Sequence, residues 1–359
     1  MPTPIRVLIV DDSAYVRLVL TRLLAGEPDI VVVGQAADGA EALVAAENLR
    51  PDVMTLDVEM PKLSGLEVLA RLLPRRPIPV LMLSSLTQHG AEVALEALRL
   101  GAVDCLGKPG SAGVPDLESV RRQLVAKVRA AAGARVRVPP AGVPPPRPTP
   151  RLRPALSSRP AGPMTTVLIA SSTGGPGSLH TVLSALPEHF PAAIAITQHL
   201  PPAFTAALAR RLDDDCALSV REAREGDLLR PGCVLVAPGD RHMLLGPQGV
   251  VHLSADPPLW GVRPAADRMM ISAAQHLTGP LIGVVLTGMG RDGAEGIRAI
   301  KQAGGTCLAE SEATAVIYGM PKAAWETGSC DRELPLPEIG PALTRLVTAP
   351  RREAPPLAA

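Results

Sequence analysis

Aromatic side chains are scarce: among 359 residues there are two Trp, two Tyr and two Phe, 2% in all. The 47% hydrophobic content therefore rests mainly on Ala, Leu and Val, and with 20% charged residues the composition is that of a soluble globular chain. Excess charge of either sign is also missing. Lys and Arg number 36 against 35 Asp and Glu, a formal charge of +1, so no global field draws the chain to nucleic acid or to an anionic membrane. No apolar run approaches the roughly 18 residues of a membrane span, and the stretch from Ile5 to Val10 is cut short by Asp11 and Asp12. No membrane insertion and a cytosolic location are expected. Cys105, Cys216, Cys233, Cys307 and Cys330 are odd in number and form no CxxC pair, which fits buried, reduced thiols better than a disulfide frame or a zinc site.

The length is that of two domains at about 100 to 200 residues each. Between residues 133 and 163 the segments PPAGVPPPRPTPRLRP and SSRPAGP carry no helical or alternating pattern. Proline fixes φ and removes backbone donors, so this stretch reads as an extended linker. At about 3.1 Å per residue, some 25 such residues span on the order of 75 Å, so the halves can separate or dock. Residues 1–132 and 164–348 are the expected domains, and 349–359 reads as a frayed tail. Before the linker, five short apolar runs alternate with helix-length segments, predicting a five-stranded parallel α/β sheet of flavodoxin-like type. After it, TTVLIAS, AAIAITQH, short strands between Leu218 and Leu253, and PLIGVVLTGM alternate with helices, predicting a second, doubly wound α/β domain.

In an open parallel sheet the ligand site lies beyond the carboxyl ends of the strands. In the first half Asp11 and Asp12 follow IRVLIV, Asp57 follows DVMTL, Ser84 follows IPVLML, and Lys108 follows VDCLG. Individually each fits a cap, a turn or a loop; together, at successive strand ends, they form one crevice. Three carboxylates suit a hard ion such as Mg²⁺, with Lys108 placed to neutralise an added phosphoryl group and Asp57 to act as nucleophile. VDDS, LDVEMPKLSG, MLSS and GKP resemble the receiver domain of bacterial response regulators over residues 5–130. That resemblance implies that Asp57 accepts phosphate from a histidine kinase. It also implies that Asp11, Asp12 and Asp57 hold Mg²⁺, that Ser84 is the switch hydroxyl, and that Lys108 contacts the phosphate beside a cis bond to Pro109. Cys105 stands where receivers often carry an aromatic switch residue, a departure that puts the usual aromatic–hydroxyl coupling in doubt.

In the second half VLIASSTGGPGS reads as a strand and a glycine-rich turn that exposes Ser172. AAIAITQH ends in His199, and the loop after PLIGVVLTGM carries Asp292. A nucleophile, a base and an orienting carboxylate are admissible in this order. The spacing alone also fits a phosphate-binding turn and a capping histidine, although no Lys followed by Ser or Thr completes a P-loop. Ser171 is the rival nucleophile, and His242 the rival histidine ahead of His180 and His276. SSTGGPGSL, TQHLPPAFT, VAPGDRHM, LTGMGRDGAEG and YGMPKAA resemble the catalytic domain of CheB-type protein-glutamate methylesterases over residues 165–347.

By that resemblance Ser172 is the nucleophile, His199 the general base and acid, and Asp292 the group that holds the imidazole. Backbone N–H groups of Met289 and of Thr173 or His199 form the oxyanion hole. No cofactor is expected in this site. The implied substrates are glutamate methyl esters and glutamines of chemoreceptors, the implied phosphodonor is a CheA-type histidine kinase, and the implied regulation is a receiver that covers the esterase until phosphorylated. Ala170 replaces the first glycine of the GxSTGG turn, which tightens the elbow if φ is positive there. Arg291 replaces an asparagine and is placed to pair with Asp292 or with an acidic receptor segment. A binding module with a lapsed hydrolase site and a DNA-binding regulator are the competing classes. The intact Ser172, His199 and Asp292 argue against the first, and the neutral charge and lack of a short basic helix-turn-helix module argue against the second.

Overall fold

A computed structural model describes residues 3–85, 87–109, 117–136 and 163–348. The linker expected over 133–163 and the tail over 349–359 lie almost wholly outside these residues. The first domain alternates β1 (Ile5–Val10), α1 (Ala14–Leu24), β2 (Ile30–Ala36), α2 (Gly39–Leu49), β3 (Val53–Asp57), α3 (Gly65–Leu72), β4 (Val80–Ser84), α4 (Gln88–Arg99), β5 (Asp104–Gly107) and α5 (Leu117–Ala132). Its five strands are parallel in the order β2-β1-β3-β4-β5. Helix starts follow local chemistry. Asp38 accepts from the N–H groups of Ala40 and Glu41, both at 2.9 Å, and Ser64 with Glu67 closes a capping box.

The second domain runs β6 (Thr166–Ser171), α6 (Gly175–Ser184), β7 (Ala193–Gln198), α7 (Pro202–Asp215), β8 (Ser219–Glu222), β9 (Cys233–Val236), β10 (His242–Leu245), β11 (Val251–Ser254), α8 (Ala266–His276), β12 (Leu281–Val285), α9 (Ala294–Gln302), β13 (Thr306–Glu310), α10 (Met320–Trp325), β14 (Arg332–Leu334) and α11 (Leu336–Thr348). Seven strands are parallel in the order β14-β13-β12-β6-β7-β9-β8, and β10 and β11 form a separate antiparallel pair. The sequence reading did not contain β13 or β14. In each sheet the connections diverge at one point, between β1 and β3 in the first and between β6 and β12 in the second. Ligand sites of doubly wound sheets form at such points.

The two domains are docked. One apolar cluster runs from Leu95, Leu98 and Ala102 of the first domain to Leu208 and Leu212 of the second. Around it Arg211 pairs with Glu96 at 2.6 Å and Arg210 with Glu92 at 3.3 Å. Closer to the second switch point, Gly174 donates its N–H to the Val103 carbonyl at 3.1 Å. The Thr173 hydroxyl donates to the Asp104 carboxylate, which Lys127 also meets at 2.6 Å. A cavity of about 430 Å³ remains at the junction, so the surfaces meet less tightly than a domain interior.

Candidate active site

The first crevice gathers its groups as the strand ends predict. Asp11, Asp12 and Asp57 bring carboxylate oxygens within 4.8 Å of one another. Lys108 lies 3.2 Å from Asp11 Oδ2 and 2.6 Å from Asp57 Oδ2. These are charge contacts, and neither buried oxygen makes a well-aligned hydrogen bond. Burial pushes the Asp57 carboxyl up to about 6, with Lys108 opposing and Asp11 adding to the rise. Burial likewise raises Asp11. A divalent cation would supply what both oxygens lack, so the donor set fits Mg²⁺.

Ser84 is buried at the end of β4 and donates to the Ser85 carbonyl at 3.1 Å. Cys105 is packed inside β5, its thiol pushed up to about 12 by burial. The expected cis bond at Lys108–Pro109 is corrected: among the described residues the cis peptide is Arg263–Pro264.

In the second crevice β6 delivers Ser172, β7 delivers His199, and the loop after β12 delivers Asp292. The two serines separate cleanly. Ser171 is fully buried and donates to Gln198 Oε1 at 2.7 Å, whereas the Ser172 hydroxyl has no partner among the described residues. Gln198 Nε2 donates to the Ser172 carbonyl at 2.8 Å, so it braces the turn from the neighbouring strand. Gly174 takes φ 78°, and a Cβ there would lie 2.7 Å from Val316 Cβ, which is why glycine follows the Ser-Thr pair.

His199 Nε2 lies 2.7 Å from Asp292 Oδ2. Asp292 is 2% exposed, and its oxygens accept from the N–H groups of Ala266 at 2.6 Å and Asp267 at 2.9 Å. Burial acts to raise its carboxyl, but the hydrogen bond and charge of His199, with those N–H groups, hold it below the usual range. The imidazole thus gives Nε2–H to the carboxylate and keeps Nδ1 as its basic nitrogen. Ser172 and His199 are not hydrogen-bonded in this docked form. Catalytic contacts of this kind often tighten only when substrate binds.

The N–H groups of Thr173 and Met289 have no acceptor among the described residues. Two free donors beside Ser172 suit a developing oxyanion. The N–H of His199 donates to the Ser171 carbonyl at 3.2 Å, so it is occupied.

Both departures in this half have physical readings. Ala170 is buried within β6 and is not among the residues with positive φ, so the expected strain at the elbow is absent. Arg291 does not pair with Asp292. Its guanidinium lies 4.9 Å from the Trp260 ring and 3.5 Å from Glu295. His242 is buried, accepting from the Ala265 N–H at 3.1 Å and lying 3.2 Å from the Pro257 carbonyl, and burial lowers its pKa. It holds a loop. His180 faces Asp215 at 3.6 Å and His276 the Ser272 carbonyl at 2.9 Å; neither meets Ser172, His199 or Asp292.

Gln198, Asp267 and Trp260 were not singled out by sequence. Gln198 left only its place before His199 at a strand end, and Asp267 only an acidic residue in a first helical turn.

Residues 167–343 match the model of the CheB methylesterase family, and residues 7–114 match that of the response regulator receiver domain. A protein of Symbiobacterium thermophilum named protein-glutamate methylesterase/protein-glutamine glutaminase is 48% identical over 96% of this chain and 97% of its own. A Pyrococcus abyssi protein of the same name is 45% identical over 96% and 94%. Among solved structures, the Thermotoga maritima CheB methylesterase catalytic domain is 43% identical. It covers 52% of this chain and all of that one, with a TM-score of 0.50.

Proposed function

We propose, from the premise that this chain belongs to the CheB methylesterase family and carries a receiver domain, that Ser172, His199 and Asp292 are its hydrolytic triad. The protein is a phosphorylation-regulated protein-glutamate methylesterase and protein-glutamine glutaminase that serves chemotaxis by acting on chemoreceptors. The observation that carries the triad is the Asp292–His199 contact at 2.7 Å beside an unpartnered Ser172 hydroxyl.

His199 Nδ1 takes the Ser172 proton as Oγ attacks the ester carbonyl. The resulting oxyanion lies against the N–H groups of Thr173 and Met289, and Asp292 stabilises the imidazolium. Collapse expels methoxide, which leaves as methanol with the proton from His199. Water, deprotonated by the same imidazole, then attacks the acyl-enzyme, freeing glutamate and restoring Ser172. A glutamine follows the same course with ammonia leaving. The carboxylate, imidazole and backbone donors supply every proton transfer and charge contact in this scheme, so we place no metal in the esterase site.

In the receiver, Asp57 accepts a phosphoryl group from a CheA-type histidine kinase. Asp11, Asp12 and Asp57 would hold Mg²⁺, which would supply positive charge at this crevice, and Lys108 and Ser84 receive the phosphoryl oxygens. We place the protein in the cytoplasm, where such a kinase reaches it. No helix among the described residues is long and apolar enough to cross a membrane.

Replacement of Ser172 by Ala tests the reading. Methanol release from methylated receptor should fall by up to on the order of 10⁶. Near-normal release would overturn the assignment.

A further inference from the structure

We propose that Asp267 is a positioning residue for the esterase, fixing the catalytic carboxylate by an exchange of helix caps; this rests on the triad reading above. α8 and α9 both start without a cap of their own. Ala265 precedes α8 and Gly293 precedes α9, and neither offers a side chain to the free N–H groups of the first turn.

Each helix is capped by the other's carboxylate. Asp292, just ahead of α9, accepts from Ala266 and Asp267 at the start of α8. Asp267, the second residue of α8, accepts at Oδ1 from the N–H groups of Gly293 at 2.9 Å and Gly296 at 2.7 Å at the start of α9. Its Oδ2 accepts from Trp260 Nε1 at 2.8 Å. All three partners are donors, so two carboxyl oxygens can accept from each, whereas an amide must turn its NH₂ toward one of them.

Asp267 is 1% exposed, and Gly293 and Gly296 are buried with it, so water does not readily replace a lost cap. Without Oδ1 the Gly296 N–H loses its acceptor and the Gly293 N–H keeps only Asp292 Oδ1 at 3.1 Å, so the first turn of α9 shifts to satisfy them. Asp292 is the residue next to Gly293 and moves with it, turning the His199 ring away from Ser172. Asp267 therefore acts on the chemistry through Asp292, without meeting substrate.

The test uses the full chain and a peptide carrying a glutamate γ-methyl ester, with kcat and KM read from methanol release and S172A run in parallel. D267A removes both contacts. D267N directs its amide oxygen to the glycine N–H groups and its NH₂ at the Trp260 N–H, setting two donors face to face; W260F removes that second donor. Expected is a kcat about 10- to 100-fold down in D267A, in line with the cost of a misplaced catalytic group. KM should stay within about threefold, and D267N/W260F should recover much of what D267N loses.

A D267A kcat within twofold of wild type, or a loss confined to KM, overturns the inference. If D267A does not fold, a D267N/W260F kcat no higher than that of D267N overturns it. A wild-type rate no higher than that of S172A would instead sink the triad reading itself.

Discussion

Asp292 is a buried anion whose surroundings consist almost wholly of donors, and this sets how the site responds to acid. Its carboxyl titrates below the usual 3.8, so the folded state holds its proton less tightly than the unfolded chain does. The stability this adds is fully present above about pH 4 and is lost as pH falls through the depressed folded value. Comparing urea midpoints of wild type and D292N should give a constant gap from pH 5 to 7 that narrows below pH 4; a gap widening on acidification would contradict the sign. Ser172, His199 and Asp292 were legible because each ends or follows an apolar strand. Asp267 was not, since its value depends on two glycine N–H groups 26 and 29 positions away. Gln198 was hidden likewise, bonded to serines on the adjacent strand.

At the scale of elements, the site is the meeting of strand ends β6, β7 and β12 with the helix starts α8 and α9. Ala170 shows how far the strand geometry constrains it. It sits in extended backbone, buried against the Cβ position that Gly293 leaves empty, where an added atom would lie 3.2 Å from the Ala170 Cβ. Restoring a glycine by A170G should therefore bring no gain in kcat and should cost about 0.5–1 kcal/mol of stability, through backbone freedom in a strand interior. Higher activity together with an unchanged urea midpoint would count against this account. The strand and helix alternation was readable because parallel strands covered on both faces are continuous apolar runs. β13 and β14 escaped because TCLAE is short and mixed, and REL offers a single apolar residue. β13 pairs along β12 and β14 along β13, so their pairing comes from the neighbouring strand, not from their own pattern.

At the scale of the molecule, the receiver holds the two residues that follow Ser172. Val103 takes the Gly174 N–H and Asp104 takes the Thr173 hydroxyl at the start of β5, while Lys108, just past its far end, reaches Asp57. D104A in the unphosphorylated full chain should loosen this hold and raise methanol release several-fold. A rate equal to wild type would show that these contacts do not restrain the site. The linker composition made docking conceivable, but the docked faces were not legible, because Leu98 and Leu212 look like ordinary core residues of α4 and α7. The contact at Thr173 has one more consequence. A receptor segment in the esterase site and the receiver compete for the same ground, and equilibria that share a step are reciprocal. Whatever factor docking takes from substrate affinity, substrate takes in return from docking. A crowded receptor array would thus hold the domains of its own demethylating enzyme apart, and a depleted one would let them close.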